Sequence, residues 1–404
     1  MFALALLPLV GLVGAAVDYS RASNGRAKVQ AAVDAALMRA AKEAAEQGAS
    51  QVSGTAVEAA VRDLVADSSW IDVSRIRVRT TVEGTEIRRV RAKFEAVVPT
   101  TIFQVAGQDS ITVEGESETT LERPTYNEVH LVVDVSASMG LAATDAGRQL
   151  LKKKTLEINE KECTFACHMK EHPDHPMTNL EIAKKHLIRT RIDVVRDVTG
   201  TLLDDVKIAQ KRNVFGAEVY RVGLYSFSGW HVDRGGAKTL AKPTANVELV
   251  RPYIDDLRLD NATAYKPMLR DMTHLIGKSA DGSRPNKRRK YMILLTDGHD
   301  YGHDWGQSKT IDPRDCAELK DNGVIVYVFN TKWVADWGNW AFDPILGYKQ
   351  NPLGGGTVFQ ALGPKLRECS SGEGFYFEGT DAGEIADKFR QIFSAIENKM
   401  HVSH

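Results

Sequence analysis

The first 124 residues carry two hydrophobic patterns, one with helical spacing and one with strand spacing. An uncharged apolar stretch comes first, apolar residues then recur at helical spacing, and strict alternation begins near Ile71. These patterns predict three segments: an apolar helix over residues 1–20, a helical stalk in two pieces over 21–68 and a small β-rich segment over 69–124.

The apolar stretch from Met1 to Val17 is typical of a membrane span or a secretory signal. As a helix it spans about 26 Å, slightly less than a hydrocarbon core of about 30 Å, and the residues behind it can extend it. A cleaved signal has a basic start, which is missing here; a start site further upstream would explain both the short span and the missing charges. We therefore expect a single-pass anchor. Its orientation stays open, because Arg21, Arg26 and Lys28 favour the cytoplasm under the positive-inside rule.

From Val129 onward, apolar runs of strand length alternate with helical patterns, as in a mostly parallel sheet covered by helices on both faces. The predicted strands are Val129–Val135, Arg221–Phe227, Tyr291–Leu295, Val324–Phe329 and Phe375–Phe377. The predicted helices are Leu180–Val198, Met268–Ile276 and Ile385–Ile396, the last after a capping box at Asp381–Glu384. The chain thus predicts a doubly wound α/β domain over residues 128–400, with an insertion at about 151–178.

Composition narrows the class of protein. The 404 residues are 43% hydrophobic and 26% charged, as in a folded globular protein. The formal net charge of −1 gives no basic field of the kind that draws a protein to nucleic acid, so we expect no nucleic-acid partner.

Oxygen-bearing side chains follow the predicted core strands. Asp134, Ser136 and Ser138 end the first strand, Asp297 ends the third, and Thr263 lies in the loop before a helix. In an open α/β sheet, ligands bind at the carboxyl ends of the strands beside the switch point, and such oxygens suit a hard divalent cation. Magnesium fits an octahedral oxygen shell best, with manganese or calcium as alternatives. A vacant position can accept a carboxylate from a partner.

These residues also carry a family resemblance. Asp134-x-Ser136-x-Ser138-Met139, the later Thr263 and Thr296-Asp297-Gly298 resemble the metal-ion-dependent adhesion site of von Willebrand factor A domains, over about Val129–Ile396. The resemblance implies a metal-dependent binding module. The alternative is that the same residues serve only as helix caps and turns.

The N-terminal residues resemble a second family. Phe2 to Arg21, followed by Val29–Ala36, look like the anchor of TadG-like Flp pilus-assembly proteins, and Val98–Thr101 is similar to a segment before the A domain in that family. The resemblance implies a single-pass protein of the bacterial cell membrane, with its A domain in the periplasm or outside the cell. Pilus-assembly proteins, or a surface ligand that offers a carboxylate, would be its partners.

The four cysteines permit two disulfides in an oxidising compartment. TadG-like sequences carry cysteines at positions similar to Cys316 and Cys369, which implies a bond between these two; separate buried thiols are the alternative. Cys163 and Cys167 lie in the insertion beside His168, His172 and His175. Three interpretations of these residues stay open: a local disulfide, a zinc site and a covalently bound haem. The usual haem attachment motif has two residues between its cysteines, whereas three separate Cys163 from Cys167.

The loop after Phe329 carries Trp333, Trp337 and Trp340 and leaves the same edge of the sheet. Exposed aromatic residues there would anchor a protein partner, whereas buried ones would form a small core under a long loop.

We expect a binding module of the Flp pilus machinery, not an enzyme. The sequence has no phosphate-binding glycine loop, Ser-His-Asp framework or His-Glu-x-x-His pattern, and His299 is the one plausible base near the metal. A purely structural component with a stabilising metal and a metal-dependent hydrolase are the alternatives.

Overall fold

The computed structural model describes residues 2–46, 51–83, 88–121, 125–164, 172–212, 217–229, 236–301, 308–338, 342–379, 387 and 390–391. The chain divides into two compact units, Met1–Pro124 and Thr125–His404. Helices and strands are numbered separately in chain order.

The first unit combines two helices with a three-stranded sheet. Its elements are α1 (Phe2–Glu46), α2 (Gly54–Val65), β1 (Asp72–Glu83), β2 (Arg88–Pro99) and β3 (Ser110–Leu121). The sheet is antiparallel in the order β1-β2-β3, which confirms the small sheet predicted from alternation. Helix α1 runs through residue 20 without a break, so the segment predicted over 1–20 and the first piece of the stalk form one helix.

The described residues contain no helix with both the length and the apolarity needed to cross a membrane. The predicted transmembrane anchor over residues 1–20 is therefore not confirmed.

Asp18 in α1 fixes the loop that follows β2. Its two carboxylate oxygens accept the backbone N–H groups of Thr101, Ile102 and Phe103 at 2.9, 2.9 and 2.8 Å. These bonds, that of Phe103 above all, hold the pKa of Asp18 well below its usual range. A single buried carboxylate thus ties the first helix to a loop more than 80 residues away.

The second unit alternates strands and helices. Its strands are β4 (Asn127–Asp134), β5 (Tyr220–Phe227), β6 (Ala237–Thr244), β7 (Arg289–Thr296), β8 (His299–Asp300), β9 (Lys309–Thr310), β10 (Ile325–Thr331) and β11 (Tyr376–Gly379). Its helices are α3 (Asp145–Asn159), α4 (Asn179–Lys185), α5 (Arg191–Arg212), α6 (Arg251–Asp255), α7 (Tyr265–Ile276), α8 (Ala317–Asp321) and α9 (Val358–Cys369).

Six strands of this unit form one sheet in the order β11-β10-β7-β4-β5-β6, in which only the edge strand β6 is antiparallel to its neighbour. The chain winds outward from β4 in both directions, so the switch point lies between β4 and β7. Apolar clusters line both faces of the sheet, as its continuous hydrophobic strands require. The predicted doubly wound, mostly parallel fold is confirmed.

Three details differ from the predicted pattern. The helix expected over 180–198 is two helices, because Leu187 adopts φ 54° and is 90% exposed instead of lining a helical face. Helix α3 reaches residue 159, so the insertion expected at 151–178 begins inside a helix. Strand β6 has no counterpart among the predicted strands. The predicted capping box at 381–384 lies outside the described residues, as does nearly all of the closing helix.

A disulfide links Cys316, just before α8, to Cys369, the last residue of α9. The predicted pairing is confirmed. Cys163 is buried, and its backbone N–H and C=O both bond the Thr155 hydroxyl. Cys167 and His168 lie outside the described residues, so the predictions for the insertion stay predictions.

Candidate metal centre

The first carboxylate of the site lies where β4 ends. Asp134 is fully buried; its Oδ1 accepts the backbone N–H of Ser136 at 2.9 Å, and its Oδ2 accepts the Thr296 hydroxyl at 2.6 Å. These bonds fold the following loop back over the strand end. The hydroxyl oxygens of Ser136 and Ser138, both buried, are 3.0 Å apart. One short loop therefore brings one carboxylate and two hydroxyls together.

The second carboxylate comes from the end of β7, the neighbour of β4. Asp297 is fully buried, and its Oδ1 accepts the backbone N–H of His299 at 3.1 Å. Gly298 makes the turn with φ 81°, where a Cβ atom would come within 2.7 Å of the Leu366 side chain. The two strands end level, since Val133 pairs with Leu295 in the sheet.

The two carboxylates interact electrostatically. Burial, reinforced by the negative charge of Asp297, raises the pKa of Asp134 from its ordinary 3.8 to about 7. Such a shift means that the ionised pair is costly in this interior unless positive charge compensates it. The predicted residues Asp134 and Asp297 therefore form one anionic site.

Thr263 lies on the third stretch of chain that contributes to the candidate site. This residue is 2% exposed and exchanges backbone hydrogen bonds with Tyr301 at 3.1 and 3.2 Å. Two residues on, the Tyr265 hydroxyl contacts the Thr296 hydroxyl, which in turn donates to Asp134. The segment around Thr263 is thus tied to the same carboxylate network.

Sequence reasoning missed one charged residue of the site, Arg191. Its side chain is 6% exposed and its Nη1 lies 3.3 Å from Asp297 Oδ2, while its Nη2 donates to the Lys332 carbonyl at 2.8 Å. Burial lowers the pKa of Arg191 to about 10, although Asp297 opposes the shift, so the guanidinium stays charged at neutral pH. A Thr190-x-x-Asp193 capping pattern marks the start of its helix, but nothing in the sequence points from Arg191 to a carboxylate 106 residues later.

The donor chemistry of the site fits a divalent cation. Its side chains offer oxygen from carboxylates and hydroxyls, the set that magnesium prefers. When both carboxylates are ionised, one guanidinium leaves one net negative charge. The described residues hold no group of three or more His, Cys, Asp or Glu suited to a metal, so the hydroxyls are essential to the proposed set.

The aromatic loop beside the site divides into a buried and an exposed part. Trp333 is 7% exposed and belongs to a small apolar cluster with Phe342, as the alternative of a small core under the loop expects, and not the exposed position of a partner anchor. Trp337 is 56% exposed and packs against Tyr348 with ring centroids 5.3 Å apart. Trp340 lies outside the described residues.

The candidate base His299 is buried in the same region. Its Nε2 lies 2.8 Å from the Ser308 hydroxyl, and burial lowers its pKa to about 4. The imidazole is therefore neutral at physiological pH and already engaged with a structural partner.

A cavity of about 530 Å³ opens beside the site. It is lined in part by Val135, Ser228, Arg258 and Asp260. The backbone N–H of Asp260 donates to the Val135 carbonyl at 2.7 Å, so the cavity wall is joined to the residue that follows Asp134. The cavity therefore adjoins the loop that follows Asp134, and its lining includes both polar and apolar side chains.

Comparisons with known proteins bear on both units. Residues 1–43 match the profile of the Flp pilus-assembly TadE/G-like family. No curated protein matches the chain. Among solved structures, the pilus adhesin SpaC from Lactobacillus rhamnosus GG is similar over 80% of this chain, at 12% identity and a TM-score of 0.40. The match covers 35% of SpaC, so the chain spans about a third of that protein.

Two further solved structures are similar. The vWF domain of the type V pili tip protein Mfa5 from Porphyromonas gingivalis is 11% identical over 70% of this chain and 98% of its own, with a TM-score of 0.40. A von Willebrand factor type A protein from Catenulispora acidiphila is 11% identical over 81% of this chain and 50% of its own, with a TM-score of 0.33. The predicted resemblance to TadG-like proteins is confirmed over residues 1–43, which are similar to the TadE/G-like family; the doubly wound α/β unit begins at Thr125.

Proposed function

We propose that the second unit binds a divalent cation, magnesium above all, and uses it to hold a carboxylate of a protein or surface partner in Flp pilus assembly or adhesion. The ligands would be Asp134, Ser136, Ser138, Thr263 and Asp297. The single observation that carries the proposal is the convergence of two buried carboxylates and two paired hydroxyls at the switch point of the sheet. The TadE/G-like segment supports the pilus context.

The chain's own residues would prepare this site for metal. The Ser136 N–H and the Thr296 hydroxyl orient Asp134, and the His299 N–H orients Asp297, so both carboxylates are fixed before a ligand arrives. A bound cation would supply an open coordination position for a partner's carboxylate.

Binding is favoured over hydrolysis by the state of His299. A general base must reach its substrate and titrate near the working pH. His299 has a pKa of about 4 and is bonded to Ser308. We therefore propose a binding module and not a hydrolase. The similarity of residues 1–43 to the TadE/G-like family supports the further proposal that the protein acts on the extracytoplasmic side of the cell with the pilus machinery.

Titration calorimetry of the full chain tests the metal. We expect magnesium binding in the wild-type chain and none in Asp297→Ala. Asp300→Asn is the matched control, because Asp300 is another buried carboxylate three residues away but is paired with Lys309 at 3.7 Å. Absence of magnesium, manganese and calcium binding in the wild type would end the proposal.

Partner capture from a bacterial membrane extract, with magnesium or with chelator, separates the two binding roles. Loss of a captured partner with chelator, measured well below the melting temperature of the metal-free chain so that the protein stays folded, supports metal-mediated binding. If Asp134→Ala loses stability but still captures the partner, the metal is structural only.

A further inference from the structure

The guanidinium of Arg191 is a fixed positive charge at the candidate metal centre. It opens helix α5, its backbone N–H donates to the Leu141 carbonyl at 2.9 Å, and its guanidinium reaches the carboxylate of Asp297. The side chain is 6% exposed, so solvent does little to screen its charge. A cation at this point competes for the carboxylate that the proposed metal would use.

The guanidinium has partners besides Asp297. Nη2 donates to the Lys332 carbonyl at 2.8 Å, and the guanidinium carbon lies 4.8 Å from the centre of the Trp333 ring. The contact with Asp297 is longer, 3.3 Å, and uses one nitrogen and one oxygen instead of the paired geometry that arginine favours. These two contacts do not involve the carboxylate, so they can hold the positive charge beside the site when a metal takes Asp297.

We propose that Arg191 is a tethered counter-ion of the metal centre: it neutralises Asp297 when the metal is absent and weakens metal binding by its fixed positive charge. This inference rests on the proposed function. The proposed role implies that Arg191 lowers the affinity for metal and stabilises the metal-free folded state. The reason is that a buried carboxylate pair without any cation is costly.

A thermodynamic cycle makes the proposal quantitative. Folding and metal binding are linked, so the effect of a substitution on metal affinity must equal the difference between its effects on stability with and without metal. Arg191→Met keeps the length and removes the charge. We expect its magnesium Kd to tighten by about tenfold or more, and its melting temperature to fall further in chelator than in saturating magnesium.

The matched control is Arg196→Met in the same helix. Arg196 is 23% exposed and donates to Asp193 Oδ1 at 2.7 Å, so its substitution also removes a partly buried ion pair, but one away from the proposed ligands. Its loss of stability should be equal in chelator and in magnesium, with an unchanged Kd. Arg191→Lys keeps the positive charge but not the stacked guanidinium, so its Kd should change less than that of Arg191→Met.

Calorimetry and thermal unfolding of the full-length variants decide between the outcomes. If Arg191→Met changes the Kd less than twofold and loses the same stability in both conditions, the inference is wrong while the proposed function stands. If neither the wild type nor Arg191→Met binds metal, both fail. Should Arg191→Met not fold even with magnesium, Arg191→Gln, which keeps a donor for Lys332, is tested against the same criteria.

Discussion

Replacement of Asp134 by asparagine should stabilise the metal-free protein while abolishing its response to magnesium. Asparagine is nearly isosteric and can keep both local bonds: its oxygen accepts the Ser136 N–H, and its amide can donate to Thr296 once that hydroxyl turns toward Tyr265. The substitution therefore removes a buried charge without opening a cavity.

The magnitude follows from the pKa of Asp134, which is about 7 in the folded protein and 3.8 as the ordinary value. Because the folded pKa is raised, the folded state holds a proton between these values that the unfolded state has released. The contribution of this group to the free energy of unfolding is full below about pH 4 and is lost as the pH rises through 7. At about 1.4 kcal/mol per pKa unit, the loss is about 4 kcal/mol above pH 8. Asparagine does not titrate, so the Asp134→Asn variant does not suffer this loss of stability.

Urea unfolding at pH 5 and pH 8, in chelator and in magnesium, measures both effects. In chelator at pH 8 we expect Asp134→Asn to be more stable than the wild type by up to about 4 kcal/mol, and the advantage to shrink at pH 5. Burial also raises the pKa of Asp300 to about 7, so Asp300→Asn should gain stability at pH 8 yet keep the magnesium response. A variant Asp134→Asn no more stable than the wild type in chelator at pH 8 refutes the electrostatic reasoning.

Three further predictions concern other parts of the chain. Replacing Cys316 and Cys369 by alanine should lower the free energy of unfolding in urea by about 4 kcal/mol, because the bond closes a loop with a sequence separation of 53. Asp18→Asn should lower the melting temperature at pH 7 and flatten its fall below about pH 4, since the wild-type carboxylate has a lowered pKa and loses its bonds on protonation. Trp333→Ala should cost about 3–5 kcal/mol in urea unfolding. By contrast, Trp337→Ala removes a side chain that is 56% exposed, so it should cost clearly less stability than Trp333→Ala and should weaken capture of the partner.

The elements predicted best from the sequence are the central strands, which are buried along most of their length. Strands β4, β7 and β10 are apolar runs, because both faces of a central parallel strand are covered, and each was predicted within a few residues. Edge strand β6 was missed because most of its residues are partly or fully exposed, so it shows no apolar run. Leu187 misled the helix prediction, since apolar spacing alone cannot show that the chain turns there with positive φ.

For the candidate site, sequence order and strand ends were enough to bring Asp134 and Asp297 together, because carboxyl ends of neighbouring parallel strands meet at one edge. The partner of Arg191 could not be predicted in this way. Its contact with Asp297 depends on where a helix start lies against the sheet, which no local pattern encodes. The burial of Trp333 and exposure of Trp337 likewise depend on loop packing, which spacing along the chain does not reveal.

The charges of the site give the proposed function a built-in metal dependence. Two ionised carboxylates and the guanidinium of Arg191 leave one net negative charge, which disfavours the approach of a partner's carboxylate. A divalent cation would invert this balance to one net positive charge, which a single carboxylate then neutralises. Arg191 therefore opposes the metal but favours the anionic partner once the metal is present. Arg191→Met should consequently bind magnesium more tightly and a carboxylate-bearing partner more weakly, a pair of opposite changes that simple loss of folding cannot produce.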